Sequence, residues 1–332
     1  MEKLNIIIPC YNEEKVLENF YEKLEEVVSM KLTNYRVTML FVNDGSTDKT
    51  QDVLYNLAVE DSMVKFVKLS RNFGKEAAIL AGLRFSANAD YVCIIDADLQ
   101  HSPKMIPKML KAVAKEGFDI AAAKRTNRKG EGLFKSRMAE SFYKLINKVS
   151  DVKIDNGAQD FRVMNQKVVN AILCMPEYNR FSKGIFSWVG YNTKWFPHEN
   201  EERAAGDTKW SFWKLLGYAI DGIISFSAAP LRISFFTGLT ASVAGFIYAL
   251  YMIISTLLHG GIIPGYPSII CAILVMSGLI LVSLGIVGEY IAKIFLEVKN
   301  RPNYVIDETN LIFTYKEVKE LAEKPSVHPD DE

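Results

Sequence analysis

The chain has 332 residues, enough for one large domain with additions. Lys plus Arg and Asp plus Glu both number 39, so the formal net charge is zero and the overall balance carries no electrostatic footprint for nucleic acid. Four cysteines, Cys10, Cys93, Cys174 and Cys271, lie far apart without metal-ligand spacing, which argues against zinc or a disulfide framework and for buried, reduced thiols.

The opening Met1-Glu2-Lys3 does not read as a secretory leader, because it runs straight into a short apolar strand over residues 4–8. Residues 12–30 have helical periodicity with Glu13 and Glu14 in the first turn. Strands are predicted over 35–42 and 64–69, helices over 48–60 and 75–87. The run Tyr91-Val92-Cys93-Ile94-Ile95 is short, β-branched and bounded by polar residues, so it reads as a buried strand. Pro103 opens another helix, as proline does at a first helical position, and 119–123 is the next strand. Such alternation predicts an α/β fold, a mainly parallel sheet with helices on both faces. The basic, glycine-containing segment 127–132 reads as a flexible loop.

The second half changes character. Over 211–229 a broad apolar face (Phe212, Leu215, Leu216, Ile220, Ile223, Ile224, Phe226) opposes a narrow polar stripe (Lys214, Asp221, Ser225), and Pro230 ends it. This pattern predicts a helix lying in a bilayer interface. Residues 231–258 and 267–295 are nearly all apolar, and each run exceeds the roughly 20 residues that a helix needs to cross hydrocarbon. The link between them has no Lys or Arg, whereas Arg232 flanks the first run and Lys293, Lys299 and Arg301 flank the second. The excess of positive charge places the N-terminal region and the tail on the cytoplasmic side. The expected organisation is a catalytic domain over 1–210, an interfacial helix over 211–230, a two-helix membrane domain over 231–296 and a cytoplasmic tail over 297–332. In the tail, Asn303-Tyr304-Val305-Ile306 is β-prone and needs a sheet edge; 320–332 is charged, proline-containing and expected to be disordered.

The chemistry-bearing residues gather at strand ends. The first strand ends in Pro9-Cys10-Tyr11-Asn12-Glu13, the second in Asn43-Asp44-Gly45-Ser46-Thr47-Asp48, the third leads to Arg71-Asn72-Phe73-Gly74-Lys75, and the fourth to Asp96-Ala97-Asp98-Leu99-Gln100. The C-terminal ends of parallel strands face the crevice where open α/β sheets bind ligands. Paired carboxylates there suit Mg²⁺ or Mn²⁺ holding a diphosphate. Asp44 is suited to accept hydrogen bonds from a base or ribose, and Gly45 to allow a turn or a close backbone approach.

Pro-x-Tyr-Asn-Glu, Asp-Gly-Ser and Asp-x-Asp, in this order and spacing, resemble the family 2 glycosyltransferases of the GT-A nucleotide-sugar fold. The two apolar runs narrow the resemblance to the polyprenyl-phosphate sugar synthases, similar to dolichyl-phosphate mannose synthase and its bacterial undecaprenyl-phosphate counterparts. The resemblance implies inverting transfer from a nucleotide sugar, a divalent metal and a lipid-phosphate acceptor. It implies a nucleotide pocket of Pro9, Tyr11, Glu13, Asp44, Arg71 and Asp96, with Asp98 as the principal metal ligand beside Asp96 and Gln100. Arg125, Arg137 and Ser141 match the acceptor-phosphate cluster, and Asp160 matches the proposed catalytic aspartate. The segment 201–210, with Arg203 and Lys209, resembles a loop that closes over the diphosphate. The resemblance also implies a homo-oligomer, a tetramer, with the tail clasping a neighbouring subunit. A UDP-sugar is favoured over GDP-mannose as donor, carrying glucose or N-acetylglucosamine. His101 and His198 have no partner pattern and read as polar surface or loop residues. The rivals are a processive polysaccharide synthase, which lacks support without a Gln-x-x-Arg-Trp signature, and a non-catalytic sugar-lipid carrier or flippase subunit, for which two spans make a poor polar path. An oxidoreductase would need Gly-x-Gly-x-x-Gly after the first strand, and none is there.

Overall fold

A computed structural model of the chain describes residues 1–125, 147, 155, 157–175, 177–198, 224, 227–259 and 265–311. Strands β1 (Glu2–Cys10), β2 (Tyr35–Asn43), β3 (Val64–Leu69), β4 (Tyr91–Ile94) and β5 (Ile120–Arg125) alternate with helices α1 (Leu17–Lys31), α2 (Thr50–Glu60), α3 (Lys75–Phe85) and α4 (Ile106–Lys115). There follow β6 (Ala158–Asn165), α5 (Gln166–Leu173), α6 (Ser182–Trp188), β7 (Thr193–His198), α7 (Ala229–His259), α8 (Tyr266–Val298) and β8 (Ile306–Thr309).

The described strands form one sheet in the order β7-β5-β6-β4-β1-β2-β3-β8. The centre is parallel, as the alternation predicts: β1 pairs in parallel with both β2 and β4, and β2 with β3. Both faces are buried, so successive β1 residues serve opposite cores. Leu4, Ile6 and Ile8 pack with Phe20 and Leu24 of α1, whereas Ile7 packs with Ala78, Ile79 and Leu80 of α3. Burial on two sides explains the unbroken apolar runs.

β6 departs from the parallel pattern. It runs antiparallel between β4 and β5, so its first residues lie where the parallel strands end. The sequence gives no alternating signal for it, because a strand buried on both faces loses the period-2 signature. Helix α1 begins five residues later than the periodicity suggests. Asn12 takes a left-handed conformation (φ 56°), and the chain bends across the strand ends before the helix starts.

Helices α7 and α8 pack against each other. Each contains a stretch, Ala229–Ser255 and Cys271–Val298, long and apolar enough to cross a membrane. Their large side chains, Phe246, Leu281 and Ile294 among them, face outward and form an exposed apolar surface of the kind a membrane or a partner covers. Tyr290 donates to the Ser227 carbonyl at 2.6 Å, and the Glu297 carboxylate accepts the Tyr178 backbone N–H at 2.7 Å. After α8 the tail returns to the sheet, and β8 pairs antiparallel with β3 of the same chain. Of the β-prone stretch expected at 303–306 only Ile306 is in a strand; the tail strand runs on to Thr309 and finds its edge within one chain. Of the cysteines, Cys10 and Cys93 are buried as expected; Cys174, at the end of α5, and Cys271, on the outer face of α8, are exposed. Most of the expected interfacial helix lies outside the described residues.

Candidate functional site

The ends of β1, β2 and β4 enclose a cavity of about 360 Å³ lined by Pro9, Tyr11, Glu13, Asp44, Lys75, Asp96, Asp98 and Gln100 among others. Hydrogen bonds between its loops fix the shape. The Asn12 backbone N–H donates to Ser46 Oγ at 2.9 Å, and the Thr47 N–H donates to Asn12 Oδ1 at 2.8 Å. The Glu13 N–H reaches Thr50 Oγ1 at 2.9 Å. Asp44 is 4% exposed, and its carboxylate accepts the backbone N–H groups of Phe73 at 2.7 Å and Gly74 at 2.9 Å. Burial pushes its pKa up, and the two N–H groups and Arg71 offset this only in part. Asp44 thus lines the expected pocket, and its oxygens also pin the turn from which α3 starts.

The Asp-x-Asp segment follows β4 directly. Leu99 lies in the left-handed region (φ 60°), an uncommon conformation for a large side chain that turns Asp98 and Gln100 into the cavity rim. The Gln100 N–H donates to Asp98 Oδ1 at 3.1 Å. The β4–β6 register pairs Ile94 with Arg162, and its continuation sets Asp160 opposite Asp96. Two carboxylates so placed repel each other unless a cation intervenes. Lys75, the first residue of α3, supplies it: its ammonium lies 2.8 Å from Asp96 and 2.6 Å from Asp160. Burial would raise the pKa of Asp160, but the Lys75 charge, helped by Lys183 and Arg162, outweighs burial and holds it well below the usual carboxylate range.

Behind Asp160, Arg162 is 2% exposed and donates to the backbone carbonyls of Gln159 (2.7 Å) and Asp160 (3.2 Å) while stacking on Phe186 at 3.4 Å. Burial lowers its pKa to about 10, so it stays charged at neutral pH. His101 and His198 are buried, not superficial. Their rings lie 5.2 Å apart, and His198 Nε2 is 2.8 Å from the Gln100 carbonyl, where β7 ends beneath the Asp-x-Asp loop.

Pro9, Tyr11, Glu13, Asp44, Asp96, Asp98 and Gln100 therefore share one cavity, and Lys75 joins Asp160 to it. Arg71 lines an adjoining cavity with Tyr178, Arg180 and Asn303, its guanidinium 4.1 Å from the Phe73 ring. Arg125 ends β5, where its N–H donates to the Gly157 carbonyl at 2.9 Å. Arg137, Ser141, Arg203 and Lys209 lie outside the described residues. Lys75 belongs to the polar cluster expected after the third strand, but the sequence attaches no role to it; the register of β6 brings Asp160 to it as a second carboxylate beside Asp96.

Two carboxylates and an amide oxygen on one rim are hard oxygen donors, and they fit a divalent cation of the Mg²⁺ or Mn²⁺ type. Among the described residues no three His, Cys, Asp or Glu side chains form a metal cage. A cation at this rim would draw further ligands from a diphosphate and water.

Comparison with known proteins bears on the whole chain. Residues 5–173 match the family model "Glycosyl transferase family 2", and residues 229–294 match "GtrB C-terminal hairpin". The chain is 42% identical over 304 residues to a protein of Escherichia coli K12 named prophage bactoprenol glucosyl transferase homolog, covering 92% of this chain and 98% of that one. It is 42% identical over 308 residues to the bactoprenol glucosyl transferase of Shigella phage SfII, covering 93% and 98%. Among solved structures, glucosyl-3-phosphoglycerate synthase from Mycobacterium tuberculosis gives a TM-score of 0.45 at 14% identity, covering 67% of this chain and 76% of that one. The sheet with its strand-end carboxylates falls under the first family model, the apolar hairpin under the second, and the relatives align along nine-tenths of the chain; it is a glycosyltransferase and belongs to glycosyl transferase family 2.

Proposed function

We propose that the chain transfers glucose, with N-acetylglucosamine as the second choice, from a UDP-sugar to a polyprenyl phosphate at the cytoplasmic face of a membrane. The observation that carries this reading is the convergence of Asp96, Asp98 and Asp160 at one rim of a sheet whose chain continues into two outward-facing apolar helices. The names of the bactoprenol glucosyl transferase relatives support the choice of sugar and acceptor. In this reading Tyr11, 42% exposed, offers a ring face to the base, and Pro9 and Glu13 line the nucleotide end. Asp98 with Gln100, and with Asp96 beside them on the Lys75 ammonium, would hold Mg²⁺ or Mn²⁺, which would neutralise the leaving diphosphate.

The acceptor needs little activation, because a phosphomonoester has a second pKa of about 6 and is largely dianionic at neutral pH. One of its oxygens attacks the anomeric carbon from the face opposite the diphosphate, the carbon–oxygen bond to UDP breaks, and the electron pair leaves with UDP. Asp160, held ionised, is suited to support the positive charge that develops at the sugar rather than to collect a proton. By resemblance Arg125, with Arg137 and Ser141, is assigned to the acceptor phosphate, and Arg203 and Lys209 to the leaving diphosphate; these last four lie outside the described residues.

The test uses purified full-length protein with undecaprenyl phosphate, Mg²⁺ or Mn²⁺, and a panel of UDP-glucose, UDP-N-acetylglucosamine and GDP-mannose, followed by mass spectrometry of the lipid. A hexose-bearing lipid from UDP-glucose is expected. Asp98→Ala should lower turnover by at least about 100-fold while the protein still folds; turnover near wild type would remove Asp98 from the site.

A further inference from the structure

We propose that Lys75 is a positioning residue for the transfer reaction, a cationic strut that fixes the Asp160 carboxylate against the donor cavity. The proposal rests on the reading of the reaction given above. Three elements meet at this ammonium. Lys75 opens α3, Asp96 follows β4, and Asp160 comes from the antiparallel β6. The contacts reach both carboxylate oxygens of Asp96 at 2.8 Å and Oδ2 of Asp160 at 2.6 Å.

The strut is itself held from behind. Asp44 accepts the two N–H groups just before Lys75, and Gly74 adopts φ 97°, which a side chain would strain. Glu76, the next residue, accepts both the N–H and the hydroxyl of Ser182 at the start of α6. The backbone carrying Lys75 is thus fixed on two sides. Asp160 is fixed by Arg162, which grips the carbonyls of residues 159 and 160. A flexible lysine between two anchored segments has little freedom to lose when substrate arrives, and pre-paid positioning of this kind lowers a reaction barrier. The Lys75 side chain is 44% exposed, so the strut stands at the open floor of the cavity and not in the core.

A group that positions Asp160 differs in its kinetics from one that binds the donor. Lys75→Met should lower kcat by at least about 100-fold with KM for UDP-glucose changed by less than about threefold. Lys75→Arg, which keeps a cation able to span two carboxylates, should regain at least about a tenth of the wild-type kcat. In an Asp160→Asn background, Lys75→Met should cost less than about threefold further, since the group it positions is already lost. A raised KM with kcat intact, or effects that multiply in the double variant, would overturn the proposal. If wild-type protein transfers no sugar to the lipid, the reading of the reaction fails, and the strut is judged without substrate: independent melting-temperature shifts for Lys75→Met and Asp160→Asn overturn it, and coupled shifts sustain it.

Discussion

Gly45 shows how much one residue constrains the loop that borders the cavity beside Asp44. Its φ is +63°, and a Cβ built on it would lie 2.2 Å from the Arg71 carbonyl carbon, a backbone atom that cannot swing aside. Two backbones therefore cross in contact at the point where β2 gives way to its loop. Gly45→Ala should destabilise the catalytic domain by at least about 2 kcal/mol, since conformational strain adds to overpacking. Thermal unfolding in detergent measures this, and a melting temperature unchanged from wild type would contradict the close crossing. The sequence made this residue legible as a site of turn or close approach, because Asp-Gly-Ser after a strand has few other uses. It did not make His101 legible: nothing in the neighbourhood of an isolated histidine says that Phe161 and His198 will cover it from strands far along the chain.

Among the elements, α2 offers a test in pH. Asp48 stands two residues ahead of the helix, where its Oδ1 accepts the Thr50 N–H at 3.0 Å and the Thr50 hydroxyl at 2.6 Å, and its Oδ2 accepts the Glu14 N–H at 3.2 Å. Burial alone would raise its pKa; these donors outweigh burial and lower it. A carboxylate depressed in the folded state binds protons more readily when unfolded, so its contribution is complete above the ordinary Asp value of about 4 and fades as pH falls through the folded value. Asp48→Ala should cost about 1 kcal/mol at pH 7. The gap in melting temperature between variant and wild type should narrow on acidification below pH about 4; a gap that widens there would reverse the assignment. The parallel elements β1 to β5 and the helices between them were legible from alternation alone. The antiparallel β6 was not, and with it went the route by which Asp160 reaches Asp96. The motif identified the aspartate, but only strand direction explains its place.

At the scale of the whole molecule, the hairpin of α7 and α8 is inserted between two strands at opposite edges of one sheet, β7 and β8. The last strand is secured by side chains as well as by its ladder. Phe66 N–H donates to Asn310 Oδ1 at 2.8 Å, Thr309 Oγ1 donates to the Phe66 carbonyl at 2.7 Å, and Tyr55 bonds to Glu308. The pair between Lys68 and Asp307 is largely solvated and adds little. Truncation after Asn300 should lower the melting temperature of the catalytic domain by several degrees, about 2–4 °C for each kcal/mol lost. The oligomeric mass by light scattering should not change, because the pairing removed lies within one chain. A drop in mass with stability intact would instead return the tail to the role of a clasp between subunits.

The same topology sets an order of events during synthesis. Phe66 and Thr309 are bonded across 243 residues of chain, and both apolar helices lie between them. On the ribosome the β3 edge is complete long before its partner exists, and it must wait while the hairpin is made. An open edge is a template for mispairing with other nascent chains. β3 carries Lys65 and Lys68, charges of the sort that discourage such pairing. The sheet can close only after the hairpin has been made, so β3 remains an open edge until the last strand of the sheet leaves the ribosome.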